Sequence, residues 1–304
     1  MRPALAVKLG NLKLKNPVVT ASGTFGFGLE YEPYVDLAAI GAVVLKSVTL
    51  RPRQGNPPPR IVETPAGMLN SIGLQNPGVA EVVEHVLPEL KKRGVKVVAS
   101  VAGETVEEYG EVASCLAEAG VDGIEVNVSC PNVTGGGMAF GAEPGATRAV
   151  TARVRSVSGN LPVFVKLGVM GSDVVEVAKA AASAGATGIS LINTLPGLAV
   201  SVEKRKPVLG NITGGLSGPA IKPVALWAVW RVYRELKLPI IGMGGITSVH
   251  DVLEFLLCGA AAVAVGTGNF LNPKITEELV KGLSQALAAE GITDVNELIG
   301  AAHK

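Results

Sequence analysis

Val97-Val98-Ala99, followed by Val106, Tyr109, Val112, Cys115, Leu116 and Ala119, then Gly120, then Ile124-Glu125-Val126, is the stretch that decides the fold. Its outer pieces are short apolar, β-branched runs of the strand kind. The middle piece repeats apolar residues along one face of a helix, and Gly120 is the residue type that ends helices. A strand, a helix and a second strand in this order call for a parallel sheet. The rhythm continues in both directions. Val18-Val19-Thr20, residues 42–45, Val163-Phe164-Val165, residues 189–192, Ile240-Ile241 and residues 262–265 are further strand runs. Val79, Val82, Val83, Val86, Leu87 and Leu90 form another helical face. Eight such units predict an α/β chain closed into a (β/α)8 TIM barrel. With no linker or shift of composition, residues 1–304 read as one barrel domain enlarged by insertions.

Ahead of the first unit, residues 6–9 and 12–14 flank Gly10-Asn11, a pattern that predicts a hairpin plugging the barrel floor. Residues 49–77, 131–144 and 194–219 are too long for simple loops and follow strand C-termini, where barrels of this kind carry their sites; they read as lids or binding loops. Composition excludes other classes. Hydrophobic residues at 48% against 17% charged exclude a disordered chain, and a net charge of +1 gives no electrostatic footprint for nucleic acid. Residues 180–202 and 255–273 carry no charged side chain, yet Gly185, Gly188, Pro196 and Gly197 break the first and Gly259, Gly266 and Gly268 the second. Both therefore read as buried strands with their loops, and no membrane span is expected. Met1-Arg2-Pro3-Ala4-Leu5 has no apolar core of the secretory kind. Three cysteines cannot build a disulfide framework, which points to a reducing, cytoplasmic setting.

Several residues are placed to do chemistry. Lys46 and Lys166 directly follow apolar strand runs and should emerge at the barrel mouth, where a cation stabilises an anion formed in reaction. Gly242-Met243-Gly244-Gly245 and Gly266-Thr267-Gly268 follow the seventh and eighth strands, the loops that bind phosphate in many barrels. Cys130 stands in a polar, Pro-bounded loop beyond the fourth strand and could act as a base or nucleophile, whereas Cys115 and Cys258 read as small buried hydrophobes. Asn70-Ser71-Ile72-Gly73-Leu74 and Asn193-Thr194 offer amides and hydroxyls suited to a planar amide-like ligand, although such residues also make ordinary turns. Glu125 shares the inward parity of Asn127 and could meet a lysine inside the barrel. His85, His250 and His303 have no metal-site spacing and read as helix-surface or tail residues; no metal site is expected.

Taken together, Ala21-Ser22-Gly23-Thr24-Phe25-Gly26, Lys46-Ser47, residues 70–77, Asn127-Val128-Ser129-Cys130-Pro131-Asn132, Lys166, Asn193-Thr194, Gly244-Gly245 and Gly266-Thr267 occur in the order of the dihydroorotate dehydrogenases, and the chain resembles that family over nearly its whole length. The resemblance implies oxidation of dihydroorotate to orotate in pyrimidine synthesis, with flavin mononucleotide (FMN) at the mouth. It implies that Cys130 is the general base, with Lys46 also in the catalytic set. It places Lys46, Asn70, Ser71, Ile72, Gly73, Leu74, Asn127, Asn193 and Thr194 against the dihydropyrimidine. It places Ser22, Lys46, Ser47, Ser100, Asn127, Lys166, Ile192, Gly218, Gly244, Gly245, Gly266 and Thr267 against the flavin.

Cys at 130 looks like the soluble class, and residues 23–28, Gly135-Gly136-Gly137 and Phe140-Gly141 resemble its NAD-linked form. That likeness implies a homodimer joined by two electron-transfer subunits carrying FAD and a [2Fe–2S] cluster. This chain offers no cysteine set for such a cluster. Rival readings are the fumarate-linked homodimeric relative, a uracil or thymine dehydrogenase-like domain, and a non-catalytic barrel that binds a phosphorylated ligand.

Overall fold

A computed structural model describes residues 3–129 and 138–304, with the side chains of residues 138 and 139 excepted. Eight short strands form the barrel wall: β1 (Val18–Thr20), β2 (Val43–Val44), β3 (Val97–Val101), β4 (Gly123–Asn127), β5 (Val163–Leu167), β6 (Gly188–Leu191), β7 (Ile240–Met243) and β8 (Ala262–Val265). Each matches one of the eight runs read from the sequence. They are parallel, in the order β1-β8-β7-β6-β5-β4-β3-β2. A bridge between Val19 and Ala42 closes the ring, with Thr20 N–H donating to the Ala42 carbonyl at 3.3 Å. Every residue of these strands is buried. That is why the runs are apolar without alternation: helices cover the outside, and side chains fill the inside.

Large and small residues interlock within the barrel. Phe164 on β5 is fully buried and lies beside Gly188 on β6, its partner in register. A Cβ at Gly188 would lie 2.6 Å from the Pro239 carbonyl oxygen and 2.9 Å from Phe164 Cδ1. The helices include Val106–Glu118, Pro144–Val157, Val174–Ser183, Lys222–Glu235, Val249–Leu257 and Ile275–Ala289. The first crossover holds only a 3₁₀ turn, Leu29–Tyr31, and Ile275–Ala289 packs against β1. Residues 79–92 are helical as expected but include a π-helical turn, Val82–Val86.

The predicted hairpin is present, with Val7–Leu9 paired antiparallel to Leu12–Leu14 across Gly10. Its apolar side chains are buried, and Asn11 reaches the Asn160 carbonyl, just before β5, so the hairpin sits at the strand N-termini. Two of the long insertions are more ordered than loop composition suggested. Ile61–Thr64 and Gly67–Asn70 join Leu195–Leu198 and Thr213–Ser217 in one antiparallel four-stranded sheet. Residues from three of these strands line the cleft at the strand C-termini.

Two cysteine readings need correction. Cys115 is exposed, because the buried stripe of its helix runs through Tyr109, Val112, Ala113 and Leu116, and position 115 falls one step outside it. Cys258 is half-buried at a helix C-terminus, and burial pushes its thiol above the usual range. His85 and His250 are exposed as expected, while His303 in the tail stacks on Trp230 at 3.6 Å.

Gly188→Ala is expected to destabilise the chain by about 1–3 kcal/mol, because the barrel cannot give way at a backbone oxygen. Gly145→Ala, where a Cβ would meet nothing within 4 Å, should leave stability unchanged or raise it. Urea denaturation of both variants checks the contrast.

Candidate active site

The barrel directs inward-facing residues at strand ends into one cleft. Lys46 follows β2, Asn127 ends β4, Lys166 lies near the end of β5, and Ile192-Asn193-Thr194 follow β6; all line this cleft at the strand C-termini. It is a half-open cleft whose walls enclose about 1290 Å³ of space, part of it open to solvent.

A polar network forms the floor. Ser100 and Ser47 share a hydrogen bond of 2.9 Å, and Asn127 Nδ2 donates to Ser47 Oγ at 3.0 Å. Asn193 Nδ2 donates to Ser129 Oγ at 3.0 Å and to Asn127 Oδ1 at 3.3 Å. Ser129 Oγ donates to the Lys166 carbonyl, and Lys166 Nζ donates to Ser22 Oγ at 2.9 Å. From outside, Tyr109 braces the strand end by donating to the Asn127 carbonyl at 2.8 Å. Buried amides and hydroxyls joined in this way keep fixed orientations, which a site that reads a planar ligand requires.

The lid sheet adds the opposite wall. Asn70 Nδ2 donates to the Gly215 carbonyl at 3.2 Å, across to the strand from the other insertion. Leu74 lines the cleft with φ at 56°, in the left-handed region that bulky residues avoid, and Asn76 Nδ2 holds its carbonyl at 2.8 Å.

Glycines make the remaining wall. A Cβ at Gly245, where φ is 76°, would lie 2.8 Å from Lys222 Cβ; one at Gly268 would lie 2.8 Å from the Ile246 carbonyl oxygen. At Gly23 a Cβ would meet nothing within 4 Å, and at Gly266 nothing nearer than 3.7 Å. The lining therefore offers backbone rather than side chains, the surface a phosphate needs. Asp251 anchors the loop after β7. Its Oδ2 accepts from the N–H groups of Thr247 and Ser248, each at 2.8 Å, while Oδ1 accepts from Lys222 Nζ at 2.6 Å. Burial opposes its charge, but the Lys222 ammonium and the Thr247 and Ser248 donors outweigh it and hold the carboxyl below its usual range.

Of the residues singled out from sequence, Ser22, Lys46, Ser47, Asn70, Ile72, Gly73, Leu74, Asn127, Lys166, Ile192, Asn193, Thr194, Gly218, Gly244, Gly245, Gly266 and Thr267 all line the cleft. Ser71 and Ser100 do not. Both are fully buried: Ser71 accepts from Asn56 Nδ2 at 3.0 Å, and Ser100 supports Ser47 from behind. Cys130 lies outside the described residues. Sequence reasoning missed Ser217, whose Oγ accepts from Thr267 Oγ1 at 2.7 Å, and the apolar Ile61, Met68, Met243 and Phe270. Only their nearness to Gly218, Asn70 and the two glycine loops signalled them.

The fold and cleft place this chain among β/α-barrel proteins that hold ligands at the C-terminal ends of their strands. The family model for dihydroorotate dehydrogenase matches residues 4–287. A dihydroorotate dehydrogenase B (NAD(+)) catalytic subunit of Desulforamulus reducens is 57% identical over 304 residues, covering all of both chains. The protein of the same description from Desulforudis audaxviator is 55% identical over all of this chain and 99% of its own, and that from Thermoanaerobacter pseudethanolicus is 53% identical over 97% of this chain and 98% of its own. The chain belongs to the dihydroorotate dehydrogenase family.

The Asp251 clamp has a definite pH dependence. A carboxyl held below its unfolded value adds stability above about pH 4, and that stability disappears as pH falls through the folded value. Asp251→Asn should therefore lower the urea midpoint near neutrality, with the difference from wild type shrinking below about pH 4. A constant difference down to strong acid would contradict the assignment.

Proposed function

We propose that this chain oxidises dihydroorotate to orotate, a step of pyrimidine biosynthesis, with FMN in the cleft. One observation carries the reading: in a chain of this family, two lysines, three asparagines and a glycine-built wall face a single cleft under a lid sheet.

The residues suit the cofactor. Backbone N–H groups of Gly244, Gly245, Gly266 and Thr267 would hold its phosphate, and Ser22, Ser47, Asn127 and Lys166 would border its ring. When bound, FMN supplies the two-electron acceptor for the hydride from C6 of the substrate. Everything else falls to the protein. Cys130 Sγ takes the proton from C5, acting as general base beside the substrate. Lys46 pairs with the substrate carboxylate, a charge that uracil and thymine lack. Asn70, Asn127 and Asn193 present donors and acceptors to the ring amides, and their network fixes which group points inward. The Lys166 ammonium stabilises negative charge that grows at the cleft floor. Lid residues Ile61, Met68 and Leu74 exclude water from the reacting face.

The residues most like the NAD-linked form, and relatives described as catalytic subunits, favour electron transfer to NAD through a partner. We assign FAD and a [2Fe–2S] cluster to that partner and place two such subunits on a homodimer of this chain. No helix among the described residues is long and apolar enough to cross a membrane.

Anaerobic addition of dihydroorotate to the purified yellow protein should bleach its flavin absorbance; a chain that binds no flavin would remove the proposal. Cys130→Ala should keep its flavin while bleaching slows by about 10²–10⁴-fold, the usual weight of a general base. Unchanged bleaching in that variant would take Cys130 out of the mechanism.

A further inference from the structure

One strongly polar group near the site has no part in the chemistry so far. Glu125, on β4, is 2% exposed and does not line the cleft. Its Oε1 makes no hydrogen bond with any described residue, yet it lies 3.9 Å from Lys166 Nζ. The register explains the meeting. Asn127 lies opposite Lys166 on the neighbouring strand, and Glu125 precedes Asn127 by two residues with the same inward parity, one layer deeper. Lys166 is itself 5% exposed at the cleft floor, and among the described residues its ammonium makes one hydrogen bond, to Ser22.

A buried charge without a partner of opposite sign loses its charge rather than bear the desolvation cost. Two buried groups of opposite sign can remain charged together, and removing one strands the other. Other charged side chains do not replace Glu125. Lys46, also at the cleft, has the wrong sign, β6 carries no charge, and Glu176 and Lys179 on the helix over β5 pair with each other in solvent.

We infer that Glu125 is a positioning residue: it supplies the counter-charge that holds the Lys166 ammonium in place at the floor of the cleft. This rests on the proposed function for what the ammonium faces, but the pair itself does not. The consequence is that the electron affinity of the bound flavin depends on a carboxylate that touches neither flavin nor substrate.

The test is a cycle of Glu125→Gln, Lys166→Met and the double variant in the full-length chain, with two readouts. The first is the flavin midpoint potential, expressed as the ratio of affinities for reduced and oxidised FMN. Glu125→Gln should lower that ratio on the order of 10-fold, in the same direction as Lys166→Met, and adding it to Lys166→Met should change nothing further. A Glu125→Gln ratio equal to wild type, or an undiminished effect in the Lys166→Met background, overturns the proposal. The second readout is urea stability without flavin. Each single variant should be less stable than the double, which removes both charges. A double variant less stable than both singles also overturns it. Should Glu125→Gln alone fail to fold, recovery of folded protein in the double supports the pairing and continued failure refutes it. If wild type binds no flavin, the proposed function fails while the urea cycle still decides the pair.

Discussion

The burial of both strand faces governs this molecule. A parallel barrel wrapped in helices leaves no wet side to its strands, so polar side chains of inward parity have to look for partners inside, and most of those described find one. Ser47, Ser100, Asn127 and Ser129 do so through one another, with Asn193 at the cleft and the backbone, and Lys166 through Ser22. These bonds give the floor of the cleft its fixed geometry, and the lid sheet and glycine loops complete the walls around it. Structure and chemistry thus share one constraint: the groups suited to reaction are also the groups the dry interior has to satisfy.

Much of this was legible in the sequence because the signals are local. A buried parallel strand is a short apolar run, and all eight runs stood out against helical segments such as residues 106–119. Lysines directly after such runs emerge at the mouth for the same reason. What escaped was non-local. Gly67–Asn70 forms a local hairpin with Ile61–Thr64, but it joins the wider sheet by pairing with Thr213–Ser217, and nothing in either insertion announces the other. Ser100 is a polar residue at a strand end, the same signal as Asn127, yet one layer of depth separates a wall residue from the support behind it. Cys115 shows the limit of helical period, since a single step of about 100° carried it from the stripe into solvent.

What the glycine loops leave open to the cleft is set by the Asp251 clamp more than by the glycine motif. The helix Val249–Leu257 begins where a phosphate-binding helix would stand, but Asp251 already takes the N–H groups of Thr247 and Ser248. The backbone N–H groups this leaves facing the cleft are those of the glycines ahead of that helix and of the loop after β8. Asn269 steadies the latter, donating to the Val265 carbonyl at 2.9 Å while Thr276 donates to its Oδ1 at 2.7 Å.

The seam of the barrel has a consequence for how the protein is made. β1 hydrogen-bonds along its length with β8, and meets the β2 side through one backbone bridge at Ala42 and the Thr20 hydroxyl against Val44. An emerging polypeptide thus carries its first wall segment for most of translation with its main partner still unsynthesised. Ring closure is a late event of high contact order, and such pairing is slow. Until then an apolar strand edge stays unpaired, the feature that makes incompletely folded chains prone to aggregate.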